Sequence, residues 1–314
     1  MYEPFVSGCC PYGENLINEK CVPWLGCDEL QKLKDNSTFL ANGKYKDVYK
    51  VQVEDTPLAL LVAREDPGKL NLTRATKIKV SNSHIGVNLQ NLIFYQPYEK
   101  VARIYGFCMK KEEKSMLLME LADRSLETTL KSKKRYVNEF PFSRRLDLAL
   151  SFLETLHFKH HSPIGALTNC DTNQWLQLAR QSLVIGSTII ENDLGMAWPT
   201  NDQVSACAHK YPKGEELWKV DDIQPPEGQH RVSEWNEKAK GRLKLHSDIW
   251  RIPNVTQNIL FPEEDEIWDQ HCKILNMLEK INKEIRQPNM FDRPSIDRVY
   301  TEYKKVFDKY RKNL

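Results

Sequence analysis

The hydrophobic and polar positions divide the chain into a strand-rich first part and a helix-rich second part. In the first part, KDVYKVQV alternates and LALLVA is a short apolar run, which predicts a hairpin joined through Glu54-Asp55-Thr56-Pro57. VARIYGFC and SMLLMEL predict two further strands, and CDELQKLK predicts a short helix from Asp28. IGVNLQNLIFYQ has apolar residues at helical spacing, and Ala41-Asn42-Gly43 is interpreted as a loop before the hairpin.

The second part is dominated by helical patterns. FSRRLDLALSFLETLHFKHH is amphipathic, and Pro163 ends the helix that it predicts. A loop with Cys170 and Asp171 follows, then TNQWLQLARQ, which is interpreted as a loop, and the strands SLVI and TIIEN. Residues 196–244 carry few signals, and the last two helical stretches are DEIWDQHCKILNMLEKINKEI and SIDRVYTEYKKVFDKYRKNL.

This order predicts an α+β architecture in three parts. Residues 1–30 form a cysteine-rich N-terminal cap, residues 31–121 a small β-rich lobe and residues 122–314 a larger helical lobe. The 45 basic and 43 acidic residues are interspersed and give a net charge of +2, so the sequence has no stripe that would track nucleic-acid phosphates. We therefore expect no nucleic-acid partner.

Cysteine usage bears on the cellular compartment. Four of the eight cysteines lie in CCPYGENLINEKCVPWLGC, at irregular spacing among proline, glycine and tryptophan. A zinc site would require Cys-x-x-Cys pairs or a downstream His-x-x-x-His pattern, and neither accompanies the cluster. A small cap held by disulfides fits better, although the sequence does not give the pairing. Cys170 and Cys207 are also interpreted as disulfide partners rather than as reactive thiols.

Three glycosylation sequons point to the same compartment as the cysteines. They are Asn36-Ser37-Thr38, Asn71-Leu72-Thr73 and Asn254-Val255-Thr256. The chain has no apolar run of membrane-spanning length, and its start lacks the pattern of a signal peptide. A cytosolic protein and the lumenal part of a longer protein both remain open, and the cysteines and sequons favour the lumen.

The stretch STIIENDLG places a carboxylate and a glycine directly after a β-branched strand. Asp193 could cap an ordinary turn through its own backbone. The same letters also match the magnesium-binding loop of protein kinases, in which Asp-Leu-Gly is a tolerated variant. Phosphoryl transfer further requires a base for the acceptor hydroxyl and a cation for the nucleotide phosphates.

Several separate residues match the kinase order. Asp171 follows the long helix at the position of the catalytic base, and Asp193 comes 22 residues later, a slightly long spacing. Gln181 directly precedes SLVI, where kinases carry a metal-binding asparagine, and it offers the same kind of carbonyl oxygen. HSDIW places Asp248 at the start of a central helix, and DRPS places Arg293 in a buried ion pair with Glu215. The sequence therefore predicts a bilobal protein-kinase-like fold.

Two kinase residues are missing from their usual positions. Leu61 stands where the phosphate-binding lysine belongs, and Asn88 stands near the place of its glutamate partner. One explanation is a dead kinase. The other is relocation, because Gly43, Lys46, Val48 and Tyr49 resemble the Gly-x-x-Lys-x-Val-Tyr pattern of the with-no-lysine kinases. Lys46 would then bind phosphate beside the Gly43 loop, unless it is only a solvated strand lysine.

Motifs spread over nearly the whole chain resemble the protein O-mannose kinase family. They are CPYG, CVPWLGCDEL, HHSPIG, NCDTN, NDL, SDIWRIPNV and RPS followed by YKKVFD. That family also relocates its lysine and uses glutamine at the metal position, as at Lys46 and Gln181. The chain departs from the family at Gly195, where an acidic residue is common.

The resemblance implies an active site, two cofactors, an acceptor and a location. ATP and magnesium would be bound by Lys46, Gly43, Asp193 and Gln181, with Asp171 as base. The acceptor would be the 6-hydroxyl of an O-linked mannose in a GalNAc-GlcNAc-mannose trisaccharide on a glycoprotein such as dystroglycan. The protein would lie in the endoplasmic reticulum lumen, with a type II membrane anchor outside this chain. A secretory-pathway pseudokinase that binds nucleotide or glycan as a scaffold, and a secreted kinase for protein substrates, remain as alternatives.

Overall fold

The structure is a computed structural model that describes residues 10, 13–17, 20–66, 73–96, 98–110, 113–162, 167–169, 175–194, 197–199, 237–262 and 268–312. The chain forms two compact units. The first consists of residues 1–123 with 191–196, and the second of residues 124–190 with 197–314. Strands dominate the first unit and helices the second, so the predicted α+β architecture is confirmed.

The first unit begins with a small hairpin and a short helix. The hairpin pairs β1 (Glu14–Ile17) with β2 (Lys20–Pro23), and α1 spans Cys27–Asp35. Cys10 is bonded to Cys21, which confirms a disulfide within the cysteine-rich cap, and Cys27 is bonded to Cys108 outside it. Leu25 pairs with Gly106, where an added Cβ would lie 2.5 Å from the Leu25 carbonyl oxygen, so only glycine permits this approach.

The central element of the first unit is a five-stranded antiparallel sheet in the order β3-β4-β5-β7-β6. Its strands are β3 (Thr38–Asn42), β4 (Lys46–Val53), β5 (Thr56–Ala63), β6 (Ile104–Cys108) and β7 (Met116–Glu120), and α2 spans Arg74–Tyr95. The interpretation of Ala41 and Asn42 as loop was wrong, because both belong to β3. Every side chain of that edge strand is exposed, so it lacks the alternation by which strands are recognised.

The disulfide between Cys27 and Cys108 closes a much longer loop than the one between Cys10 and Cys21, with separations of 81 and 11 residues. A cross-link that closes a longer loop removes more entropy from the unfolded chain. We expect Cys27→Ser with Cys108→Ser to lower the free energy of unfolding by about 4 kcal/mol, and Cys10→Ser with Cys21→Ser by about 3 kcal/mol. Urea unfolding of both double variants measures the difference, and a larger loss for the Cys10 pair would contradict it.

The second unit is a helical bundle with two small sheets. Its first elements are β8 (Arg124–Ser125), α3 (Leu126–Lys131), α4 (Lys133–Glu139), α5 (Phe142–His160), β9 (Leu167–Asn169) and α6 (Trp175–Gln181). They are followed by β10 (Ser182–Ile185), β11 (Thr188–Glu191), β12 (Ala197–Pro199), α7 (Glu237–Leu260), α8 (Trp268–Ile285) and α9 (Ile296–Arg311). The small sheets have the orders β11-β10-β8 and β12-β9.

Helix α5 is the centre of the second unit and packs against α7 and α9. The apolar residues that predicted it are all buried: Leu146, Leu148, Leu150, Leu153 and Leu156. No helix among the described residues combines the length and the apolar character that a bilayer-spanning segment needs.

One prediction for the second unit was wrong. TNQWLQLARQ is not a loop throughout, because Trp175–Gln181 forms α6, and Arg180 holds it to Glu127 of α3 with contacts of 2.7 and 3.0 Å. Residues 196–244, which carry few sequence signals, contain β12 and the first turns of α7. Residues 201–236 lie outside the described part of the chain, and Glu215 is among them.

The two further kinase-like positions are both buried. Asp248 lies well inside α7 rather than at its start, and it accepts a hydrogen bond from Arg251 at 3.1 Å. Burial raises the pKa of Asp248. The His160 imidazole and the charge of Arg251 lower it by more than burial raises it, so the pKa lies below its ordinary value. Arg293 donates to the carbonyl oxygen of Gln287 at 2.9 Å and lies 4.7 Å from the Trp250 ring centroid.

Candidate active site

Lys46 begins β4 on the face of the sheet where a kinase lysine would be needed. Lys46 pairs with Ala63 of β5, and Val48 pairs with Leu61. Because side chains alternate along a strand and cross-strand partners share a face, Lys46 and Leu61 project from the same side. Leu61 is buried, so an apolar side chain fills the usual lysine position. Lys46 supplies a cation from the next cross-strand pair on the same face.

The ammonium group of Lys46 contacts Asp193 directly. The Nζ of Lys46 lies 2.8 Å from the Oδ2 of Asp193, and the two side chains are 19% and 35% exposed. The two residues are 147 positions apart in the sequence, and the first unit contains both. A half-buried ion pair of this kind is less screened by salt than a surface pair. The structure therefore brings together the predicted cation and the predicted metal-binding carboxylate.

The backbone that carries Asp193 is fixed just before that residue. The amide of Glu191 donates to the carbonyl oxygen of Lys100 at 2.8 Å, and the amide of Ala102 donates to the carbonyl oxygen of Glu191 at 2.9 Å. Both hydrogen bonds lie within the first unit. They define where the segment leaves its strand, two residues before the carboxylate.

Two buried asparagines of α2 also bind the same segment. Asn88 donates from Nδ2 to the carbonyl oxygen of Asn192 at 3.1 Å and accepts at Oδ1 from the amide of Leu194 at 2.7 Å. Asn91 donates from Nδ2 to the carbonyl oxygen of Leu194 at 2.7 Å. We call Asn88 and Asn91 the asparagine clamp. It takes hold of the backbone on both sides of Asp193 and so orients its carboxylate.

The asparagine clamp changes the meaning of the missing glutamate. In most kinases a glutamate of this helix pairs with the lysine of the neighbouring strand, at the position that Leu61 holds here. Here Lys46 pairs with Asp193 itself, and Asn88 binds the backbone around Asp193. The asparagine therefore has a structural task of its own, which sequence comparison with ordinary kinases does not reveal.

Gly43 lies in the short connection between β3 and β4. Its amide donates to the carbonyl oxygen of Lys46 at 2.8 Å, and its own carbonyl accepts from Arg64 at 2.8 Å. An added Cβ would meet nothing closer than 3.6 Å, so an alanine would fit at this position. Next to it, the Tyr45 ring stacks on His84 at 3.6 Å between centroids. Gly43 thus shapes the turn that precedes Lys46, and its predicted contact with nucleotide stays a prediction.

The other two predicted site residues lie elsewhere in the chain. Gln181 is the last residue of α6 and directly precedes β10, in the second unit. Asp171 lies outside the described residues, as do Cys170 and Cys207.

The donor set around Asp193 fits a magnesium ion bound to phosphate. Magnesium takes oxygen ligands and usually keeps only one or two protein carboxylates. Asp193 offers such oxygens and is one-third exposed, so a ligand can reach it. Lys46 directs one of its three ammonium donors to Asp193 and has two more for phosphate oxygens. This arrangement of carboxylate and ammonium can hold and neutralise an anionic nucleotide.

The fold and this site define a kinase-like protein, with a β-rich unit that carries the lysine–aspartate pair and a helical unit. No family model matches the chain. The protein O-mannose kinase of Macaca fascicularis is 27% identical over 319 residues, which cover 96% of this chain and 81% of that protein. The human protein O-mannose kinase is 26% identical over 326 residues, with 96% and 81% coverage. That of Gallus gallus is 26% identical over 320 residues, with 95% and 79% coverage.

This near-complete coverage agrees with the motifs and with the fold. Over nearly its whole length the chain is similar to protein O-mannose kinases, and this similarity identifies it as a kinase.

Replacing Asn88 by leucine is expected to weaken nucleotide binding through the Asp193 segment. The change leaves the amide of Leu194 without its partner, at a cost of about 1–3 kcal/mol in unfolding free energy. Loss of such a positioning contact typically weakens metal binding or activity by about 10–100-fold. The measurement is the affinity for ATP with magnesium, followed through the rise in unfolding temperature.

Asn82 provides the matched control for Asn88. It is a buried asparagine of the same helix, but its three hydrogen bonds go to Lys110, Glu113 and Ser115. We expect Asn82→Leu to destabilise the protein to a similar extent while leaving nucleotide affinity within about twofold. Equal nucleotide affinities in the two variants would show that the asparagine clamp only supports the fold.

Proposed function

We propose that this protein transfers the γ-phosphoryl group of ATP to the 6-hydroxyl of an O-linked mannose. The acceptor in the proposal is a GalNAc-GlcNAc-mannose trisaccharide on a glycoprotein such as dystroglycan. The O-mannose part is supported by the names of the three relatives described above, each a protein O-mannose kinase. The trisaccharide and its carrier are supported by the sequence resemblance alone.

The contact between Lys46 and Asp193 is the observation that carries the proposal. The pair supplies what a bound magnesium nucleotide requires, namely a carboxylate for the metal and an ammonium group for the phosphates, 2.8 Å apart in a half-buried site. Phosphoryl transfer depends on this combination, because catalysis consists largely of positioning and of neutralising the charge on the phosphoryl oxygens.

Each site residue has a defined task in the proposal. Asp193, with Gln181, would hold magnesium, which neutralises phosphate charge when bound. Lys46 contributes a fixed positive charge to the phosphates, and the Gly43 turn places that lysine at the start of its strand. Asp171 accepts the proton of the sugar hydroxyl while the phosphoryl group moves in line to the oxygen.

We further propose that the protein acts in the lumen of the endoplasmic reticulum. The two disulfides support this location, because such bonds persist in oxidising compartments. Asn36 of the first sequon is exposed at the end of α1, where a glycan could be attached, whereas Thr256 of the third sequon is buried.

An acceptor panel tests the proposed substrate. The protein is incubated with ATP and magnesium and with one of four acceptors: the trisaccharide glycoside, the disaccharide lacking GalNAc, the trisaccharide with 6-deoxymannose, and a serine- and threonine-rich peptide. We expect phosphate on the complete trisaccharide only. Transfer to the peptide would favour a protein kinase, and transfer to the 6-deoxy compound would refute the 6-hydroxyl as acceptor. Nucleotide binding without transfer to any acceptor would favour the pseudokinase scaffold.

A further inference from the structure

Two histidines and one aspartate converge at the junction between α5 and α9. The Nε2 of His157 lies 2.9 Å from the Oδ1 of Asp297, and the Nε2 of His161 lies 3.2 Å from the same oxygen. One ligand atom from each residue lies within 4.8 Å of the others. All three residues belong to the second unit, and none of them has a task in the phosphate chemistry proposed above.

Helical spacing explains why the two imidazoles share a face. Residues four apart on an α-helix lie one above the other, so His157 and His161 project together from the end of α5. Their rings stack with centroids 4.4 Å apart and planes 22° from parallel. A pair of histidines at this spacing on a helix is a common zinc-binding unit. Phe158 follows His157, where metalloproteases of this pattern have glutamate, so the geometry suits metal binding rather than peptide hydrolysis.

The second nitrogen of His161 shows which ring atom is available as a ligand. Its Nδ1 lies 2.9 Å from the carbonyl oxygen of His157, and a carbonyl can only accept, so Nδ1 carries the hydrogen. In the neutral imidazole, Nε2 then presents a lone pair, and this lone pair faces the carboxylate of Asp297. Two acceptors at 3.2 Å repel each other unless a proton or a metal cation lies between them. Metal-ligating histidines typically donate their other N–H to a backbone carbonyl in this way.

The exposure of the three side chains and the type of their ligand atoms indicate which class of ion the cluster can bind. The three side chains are 35%, 47% and 56% exposed, so an ion can enter from solution and water can complete its coordination. Imidazole suits zinc, copper and nickel, whereas magnesium prefers ligands that are all oxygen. Two imidazoles, one carboxylate and one water are a common set for tetrahedral zinc.

We propose that His157, His161 and Asp297 form a binding site for a zinc-class divalent ion, which links the end of α5 to the start of α9. The ion replaces the direct contacts between the imidazoles and the carboxylate with metal–ligand bonds. Because the link joins two helices that pack in the folded core, bound metal stabilises the folded second unit.

Zinc titration of the metal-stripped full chain tests the proposal. The disulfides are kept intact, Cys272→Ser removes the exposed free thiol of the described residues, and a chromophoric chelator reports the free zinc. We expect one zinc ion per chain and a higher unfolding temperature. We also expect His161→Gln and Asp297→Asn to weaken binding at least about tenfold, and Asp297→Glu to restore most of it.

Two control variants separate this site from other zinc ligands. His84→Gln removes a histidine that lies outside the cluster, and Asp193→Asn removes the carboxylate proposed for magnesium. Neither should change the zinc affinity or the stoichiometry. The proposal is overturned if the metal-stripped chain binds no zinc, if His161→Gln and Asp297→Asn bind as well as their parent, or if binding disappears in Asp193→Asn.

Discussion

Replacing Asp193 by asparagine is expected to reduce phosphate transfer at least about a thousandfold. The carboxylate is the proposed magnesium ligand and the partner of Lys46 at 2.8 Å, so the change removes a ligand and an ion pair together. Metal neutralisation of phosphoryl oxygens supplies several kcal/mol in the transition state, and each 1.4 kcal/mol is about tenfold in rate. The measurement is kcat/KM for transfer from ATP to the trisaccharide at saturating magnesium.

Asp47 provides the control for Asp193. Asp47 also belongs to the first unit and directly follows Lys46 in the chain. Its carboxylate lies 3.3 Å from the guanidinium group of Arg64. Asp47→Asn should retain transfer within a few fold of the parent protein. If Asp193→Asn kept more than a tenth of the parent activity, Asp193 would not be the metal ligand.

Replacing Lys46 by methionine is expected to lower transfer by about 100–1,000-fold. Removing one preorganised electrostatic donor from a reacting anion has that effect in other enzymes. Methionine retains all but the last atom of the side-chain length, so the loss reports the charge rather than the packing. The Michaelis constant for ATP should rise as well, because the ammonium group binds phosphate in the ground state too.

Lys50 is the matched control for Lys46. It lies four residues along the same strand and pairs with Ala59, so its side chain leaves the same face of the sheet but is exposed. We expect Lys50→Met to leave both kcat and the Michaelis constant for ATP nearly unchanged. Equal behaviour of the two variants would mean that Lys46 is an ordinary solvated strand lysine.

Much of the fold could be predicted because its elements have a strong period. Strand β5 and helix α5 bury nearly all of their apolar residues. Strand β4 alternates between apolar and polar residues along most of its length. β3 was missed because its five side chains are exposed, and the first half of α2 was missed because its buried face carries polar residues. In that half the buried polar side chains of Ser81 and Asn82 interrupt the apolar periodicity that marks a helix.

The site could be predicted in part for a similar reason. The Gly-x-x-Lys pattern and the Asp-Leu-Gly sequence are local, so the chain alone singled out Lys46 and Asp193, which the structure brings into contact. Asn91 was missed, because its role is a hydrogen bond to Leu194, more than 100 residues away. The available signal was a third asparagine in a helix whose neighbours are apolar, since a buried asparagine is normally hydrogen-bonded. The convergence of His157, His161 and Asp297 likewise joins two distant helices.

Transfer of labelled phosphate from ATP to the GalNAc-GlcNAc-mannose glycoside tests the central claim most directly. The parent protein is run beside Lys46→Ala and Asp171→Ala, and the position of the phosphate is read by nuclear magnetic resonance. We predict a phosphomonoester on the mannose 6-oxygen with the parent protein and none above background with either variant. A parent protein that binds ATP with magnesium but transfers no phosphate, or a Lys46→Ala variant that transfers as well as the parent, would contradict the account.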